Sequence, residues 1–478
     1  MTASPEKAFP FLDLPLELRE AIYSLYFKPA DRLIHNAALE EQGFYGGLYV
    51  FDFNLYRASK QIHKEAQRVW QRENVFVKIL TPWPSAGMYS VYLRAIDQRE
   101  LVDFGSGPLN HVSSEGLVPI VCIDQRADKF NRHHAVVQIS APFHEAAPLH
   151  SVIVLLDDLH LFTQTWYYSA LSYPMLNDRL HTTFVLRDPD KPSLSNDLQI
   201  SHEDVSSVPL SLQRRLLLPF EQVKGLYSTD VYGYAPSVRT ELKRLQDLPI
   251  PTLQASCESA TALMQQGDAA LSTAQDAQQA LALYAAAFKA IHILIHGRTR
   301  RVLADVFFHD VISDGIFAGQ TGMTVRVILR LRLVSRCVTA HLQLHNWEEA
   351  AYWGMRSIRI MREAMNTDFD NFVTEIVGGS DVGLIYVRTG VAVWQMEKDA
   401  VCWAKALGTL LDEQIDGSEK LWELSGRYIR SADRGAVRRE LEGYGVPTRV
   451  LRLYADADGS GDTQSEGTTI AQAGSEED

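Results

Sequence analysis

Hydrophobic positions along the chain change their period three times, and each change predicts a different kind of structure. Between Phe9 and Leu80, Leu18, Ile22 and Leu25 recur at the helical spacing i, i+4, i+7. Pro15 sits at the start of that helix, where its missing N–H costs nothing. A second helix is predicted over Leu55–Arg72, with Leu55, Ala58, Ile62, Ala66 and Val69 on one face. Asn74–Leu80 then reads as a strand, rich in Val, Phe and Ile.

From residue 81 to about 245 the pattern becomes a series of short β-branched runs: Leu117–Ile123, Ala135–Ile139, Val152–Leu156 and Thr182–Leu186. Turn-rich stretches such as Phe104–Pro108 and Asp188–Ser195 separate them. Ser151–Leu156 is almost wholly apolar, which predicts a strand covered on both faces. A sheet with helices against it follows. Pro249 and Pro251 mark a boundary, beyond which Ala, Leu, Arg and Gln dominate and favour helix. The pattern is then helical to Tyr444, apart from loops near Gly315–Gly322 and Gly378–Ser380.

The fold class expected is therefore α+β. It divides into a small helical module (9–80), a mixed α/β domain (81–245), an all-α domain (250–453) and a tail (454–478). The tail is Gly-, Ser-, Thr- and acid-rich, cannot bury enough apolar surface to offset its ordering entropy, and is expected to be disordered.

Charge adds one restriction. The net charge is −13, but residues 455–478 hold seven acids and no Lys or Arg. Without them the rest carries a net charge of about −6, which disfavours general nucleic-acid binding. No run approaches the roughly 20 apolar residues of a bilayer span, and the first ten residues hold no signal-peptide core. Cytoplasm or nucleus is the expected location, with no membrane partner. Cys122, Cys257, Cys337 and Cys402 are far apart, which predicts reduced thiols rather than a disulfide framework or zinc knuckle.

Two segments resemble known families. Residues 12–23, Leu-Asp-Leu-Pro-Leu-Glu-Leu-Arg-Glu-Ala-Ile-Tyr, resemble the opening of the F-box. A second block follows, comprising Arg57, Ser59, Lys60, Gln61, Ile62, Glu65, Ala66, Asn74 and Phe76. The two blocks in this order are similar to F-box-like proteins of filamentous fungi. The resemblance implies a helical module that docks on the adaptor subunit of a cullin–RING ubiquitin ligase, with Leu14, Pro15, Leu18 and Ile22 at that surface. The segment 29–52 is longer than an F-box usually has, and the Cys-Arg-x-Trp signature is missing. The competing account makes Leu18, Ile22 and Leu25 a core face packed on the middle domain.

The helical half resembles tetratricopeptide repeats, in which small residues sit where paired helices approach. Three sets carry this: Gly267, Ala270, Ala280, Tyr284 and Ala287; Val338, His341, Leu344, Trp347, Ala350, Gly354 and Ser357; and Tyr386, Gly390, Ala400, Trp403, Ala404 and Leu407. The marked alanines lie 70 and 50 residues apart, so extra helices are expected around Val302–Phe308 and Met323–Leu333. Arg326, Arg330, Arg332 and Arg336 fall on one predicted helix, with Arg356, Arg359 and Arg362 similarly close together. They are candidates for a groove that grips an acidic peptide, the chain's own tail included. Their alternative is solvation or pairing with Glu348, Glu349 and Glu363.

The phosphate-loop, dinucleotide and nucleophile-elbow motifs are absent from the sequence. Adjacent His133 and His134 point to opposite faces of a strand and make poor co-ligands. His144-Glu145, His150, His309-Asp310 with Asp314, and Asp456-x-Asp458-Gly459 are weak metal or acid–base candidates for want of supporting residues. Asp157-Asp158 with His160 follows a buried strand, where an α/β enzyme can carry carboxylates. The favoured expectation is a non-enzymatic interaction protein, without cofactor or small-molecule substrate. It would be a substrate receptor for ubiquitin ligation, holding the ligase adaptor and a target protein. The alternatives are a ligase-independent scaffold or co-chaperone-like protein and an enzyme with its site in the middle domain.

Overall fold

The apolar runs of the middle segment become the strands of one sheet. Two short strands, β1 (Leu33–Ile34) and β2 (Leu48–Tyr49), pair antiparallel beside it. The sheet itself contains β3 (Phe76–Thr81), β4 (Cys122–Ile123), β5 (His133–Ser140), β6 (His150–Leu155), β7 (His181–Leu186) and β8 (Ser228–Tyr232). Their spatial order is β4-β6-β3-β5-β7-β8. β3 runs parallel to β5 and antiparallel to β6, β5 is antiparallel to β7, and β7 is parallel to β8. The computed structural model describes residues 10–36, 38–39, 42, 44, 46–82, 118–142, 149–191, 207–273, 275–296, 299–364, 379–399, 401, 403–404 and 415–455. Phe104–Pro108, His144-Glu145, Ala400, Cys402, Leu407, Asp456, Asp458, Gly459 and nearly all of the expected tail lie outside these residues.

Both faces of the sheet are covered, as the unbroken apolar strands require. On one face Val77, Ile79, Val137, Val152 and Val154 meet Leu159, Phe162 and Trp166 of the helix Leu159–Ser172, with Leu216, Phe220, Val238 and Leu242 beyond. Trp166 donates its ring N–H to Asn177 (2.9 Å), and Asn177 donates to the Lys224 carbonyl (2.6 Å), so this polar pair is satisfied inside the core. The other face is closed by α1 (Leu16–Tyr26) and α2 (Lys60–Glu73). Tyr23, Phe27, Ile62, Ala66 and Val69 pack there with Phe76, Ile153 and Leu155 of the sheet. Ser59 caps α2 by accepting from the Ile62 N–H (3.1 Å).

The chain divides into two units, Met1–Ile250 and Pro251–Asp478. The segments expected as separate domains 9–80 and 81–245 therefore share one unit. The physical reason is β3, which lies at the end of the first segment yet occupies a central place between β5 and β6.

In the second unit, α3 (Leu253–Ser272) and α4 (Ala277–Ala290) form a helical hairpin. A Cβ on Gly267 would run into the Tyr284 ring, so only glycine allows this approach. α5 (Gly322–Gln343), α6 (Trp347–Ala364) and α7 (Gly379–Glu397) follow, then shorter helices at Ser418–Ser425 and Ser431–Gly443. A Cβ on Gly354 would overlap Thr389, and one on Gly390 would stand 2.6 Å from Trp422. Gly267, Gly354 and Gly390, one from each marked set, thus sit at close helix approaches. The unit is not wholly helical, however. Where an extra helix was expected around Val302–Phe308, the chain forms a hairpin of β9 (Ile293–His296) and β10 (Thr299–Val302) and one 3-10 turn. Met323–Leu333 is no separate helix but the first half of α5, continuous with the residues of the second marked set.

Candidate functional site

The α1 helix turns its expected core face outward. Leu18 is 53% exposed, Ile22 42% and Leu25 69%, with Leu12 and Leu16 also exposed. Leu14 is half-buried and Pro15 exposed. The reading of Leu18, Ile22 and Leu25 as core is therefore corrected. What holds the helix is its opposite side, where Tyr23 and Phe27 are buried and Arg19 is paired. The Arg19 guanidinium donates to both oxygens of Glu65 on α2 (2.9 and 2.8 Å) and to the carbonyls of Leu12 (3.1 Å) and Leu14. The Tyr23 hydroxyl and the Gln61 amide also donate to Glu65 (3.0 and 2.9 Å). The Arg19 hydrogen bond is the main cause holding the Glu65 carboxyl down at about 2. Burial, aided by Glu65, pushes the Tyr23 hydroxyl up to about 12. Arg72 reaches Glu20 (3.1 Å) and Ser24 donates to Glu73 (2.6 Å), so a polar seam runs along both helices.

The four arginines of α5 do not line one groove. Six residues separate Arg326 from Arg332, which turns them to different sides of a helix with 3.6 residues per turn. Arg326 is buried, pairs with Asp305 (2.8 Å) and donates to the Leu303 carbonyl (2.8 Å). Arg332 meets Asp381 (3.4 Å), and Arg336 donates to both Asp268 oxygens (2.8 Å). Arg332 and Arg336, four residues apart, share one side, both within reach of Asp381, and Arg326 and Arg330 share another. That side gathers two further arginines, Arg356 of α6 and Arg300 of β10, the latter unmarked in the sequence reading. The only sequence signal for Arg300 is its basic run, Arg298-Thr299-Arg300-Arg301.

Arg300 lays its guanidinium 3.5 Å from the centre of the Trp353 ring, with Tyr352 at 5.8 Å. Its Nε and Nη2 are buried without an acceptor, as are Arg356 Nε and His341 Nδ1. Burial first, then the Arg356 charge, lowers Arg300 to about 10. Burial, then Arg356 and Arg326, lowers Arg330. Among the described residues no carboxylate forms an ion pair with Arg300, Arg330 or Arg356.

The acidic candidates of the first unit separate. Asp157 is exposed and meets Arg215 (2.9 Å). Asp158 accepts from the Tyr49 hydroxyl (2.9 Å), and burial raises its carboxyl despite that bond. His160 bonds through Nδ1 to the Asp157 carbonyl (2.7 Å), not to either carboxylate. His133 Nδ1 bonds the Phe130 carbonyl (3.0 Å), and His150 stands 3.5 Å from Asp124. Among the described residues, no group of three or more His, Cys, Asp or Glu is arranged to hold a metal ion. None of their helices is long and apolar enough to cross a membrane. Comparison with protein-family models, curated proteins and solved structures finds no match to this chain.

Proposed function

We propose that this chain is a protein–protein interaction protein that uses the outer face of α1 to seat another polypeptide. The carrying observation is that Leu18, Ile22 and Leu25 stand exposed on a helix whose other side is fastened by Arg19 and Tyr23 to Glu65. A rigid helix presenting an apolar row is a form of surface that partners bury. Each of the three side chains would contribute about 1.5–3 kcal/mol if fully covered, reduced by the cost of association. The sequence resemblance to F-box-like proteins names the occupant: the adaptor subunit of a cullin–RING ubiquitin ligase. The helical unit would then hold the target and raise its effective concentration near the ubiquitin-charged partner.

The test uses the full chain and the purified adaptor on a biosensor. The wild type should bind saturably, and the Leu18→Asp/Ile22→Asp double variant should lose at least about tenfold in affinity, or roughly 1.4 kcal/mol. A wild type that does not retain the adaptor ends the receptor reading and leaves a scaffold without a ligase link.

A further inference from the structure

Every arginine of α5 except Arg330 meets a carboxylate: Arg326 meets Asp305, Arg332 meets Asp381 and Arg336 meets Asp268. Arg330 instead faces Arg356 and Arg300, with the Trp353 ring against Arg300. Three cations drawn together and partly out of water repel one another and lose hydration, so the arrangement is costly without a counter-charge. Buried N–H groups without acceptors are rare, and three guanidinium N–H groups and one imidazole nitrogen are in that state here. We propose that Arg300, Arg330 and Arg356 form a binding site for a phosphate-type oxyanion, with Trp353 as one wall and His341 as a further donor.

The chemistry favours this ligand over a lone carboxylate. A phosphate monoester carries about −1.5 to −2 charges and three acceptor oxygens, and can therefore answer three guanidiniums at once. One carboxylate leaves most of the positive charge unanswered. Guanidinium forks match phosphate oxygens pairwise, and the Trp353 face keeps Arg300 in place before the anion arrives. Burial lowers His341, with the Glu349 carboxylate acting against it, and its Nδ1 is buried without a hydrogen-bond partner. The same oxyanion can come from a free phosphate compound or from a phosphorylated side chain that reaches inward.

The test is calorimetric titration of the full-length protein, with melting curves at matched ionic strength. Inorganic phosphate should bind saturably at one site and raise the melting temperature above that in sodium chloride. Arg330→Met and Arg356→Met should each weaken binding at least about tenfold. Without phosphate, both variants should melt no lower than the wild type, because an apolar side chain replaces an unanswered cation. Arg438→Met, which removes an exposed pair with Glu442, should leave binding unchanged. A phosphoserine tripeptide flanked by alanines, set against its unphosphorylated form, distinguishes the sources. Tighter binding than inorganic phosphate assigns the site to a phosphorylated side chain, and weaker binding assigns it to a free compound. The proposal is overturned if phosphate and phosphopeptide both fail to bind. It is equally overturned if binding survives in Arg330→Met, or if that variant loses stability in phosphate-free buffer.

Discussion

Arg19 on α1 and Arg330 on α5 are both drawn into the protein, one in each unit, and they meet opposite surroundings. Arg19 is matched by a two-oxygen bond to Glu65, and that match lets its helix leave Leu18, Ile22 and Leu25 outside. Arg330 has other arginines beside it, while the apolar residues of its helix, such as Leu329, Leu333 and Val334, are fully buried. A matched internal charge reads as architecture, because its partner is already present. An unmatched one reads as a site, because something else must complete it. The exposed surface of the first unit and the inward charge of the second are thus two different kinds of incompleteness.

Five variants sharpen this contrast. The largest effect is expected from Leu333→Asp, which puts a charge at a fully buried position of the helical unit. It should cost more than about 4 kcal/mol and abolish that unit's melting transition by circular dichroism. Next, Gly267→Val should lower stability by about 1–3 kcal/mol by urea midpoint, because its side chain meets the Tyr284 ring. Gly435→Ala, with open space around it in a helix, should instead raise stability by up to about 1 kcal/mol.

A smaller effect concerns acid. Glu65 is held at about 2 in the folded state against an ordinary value of 4.5. Its contribution is present above the ordinary value and is lost as pH falls from there through about 2. Glu65→Gln should remove that part of the decline, as read from urea midpoints across a pH series. Parallel profiles for the two proteins would show that Arg19–Glu65 is not what fastens α1. The smallest effect is expected from Leu18→Asp/Ile22→Asp, within about 0.5 kcal/mol per site, since exposed positions tolerate charge. A large loss of melting temperature would mean that the α1 face is covered after all.

The strands most readable from sequence were β3, β5, β6 and β7, whose β-branched runs are long enough to allow few alternatives. β8, Ser-Thr-Asp-Val-Tyr, escaped notice because an edge strand is half-exposed and carries polar residues. The β9–β10 hairpin escaped because Ile-Leu-Ile-His is a short apolar run that periodicity cannot assign to helix or strand. Of the site residues, Leu18 and Ile22 were legible as a row, and Arg326 and Arg330 as a pair. Arg300 was not, because its neighbours Trp353 and Arg356 lie more than 50 residues away in the chain.

Local pattern was enough to establish where the helices and the main strands run, because period and residue shape act over a few residues. It was also enough to mark Gly267, Gly354 and Gly390 as places where helices come close. Which side of α1 faces inward could not be read that way. That depends on Glu65, a carboxylate 46 positions from Arg19, and on the core that takes in Tyr23 and Phe27. The three facing guanidiniums are likewise a product of packing, since charge carries no period and only the folded chain sets one cation against another.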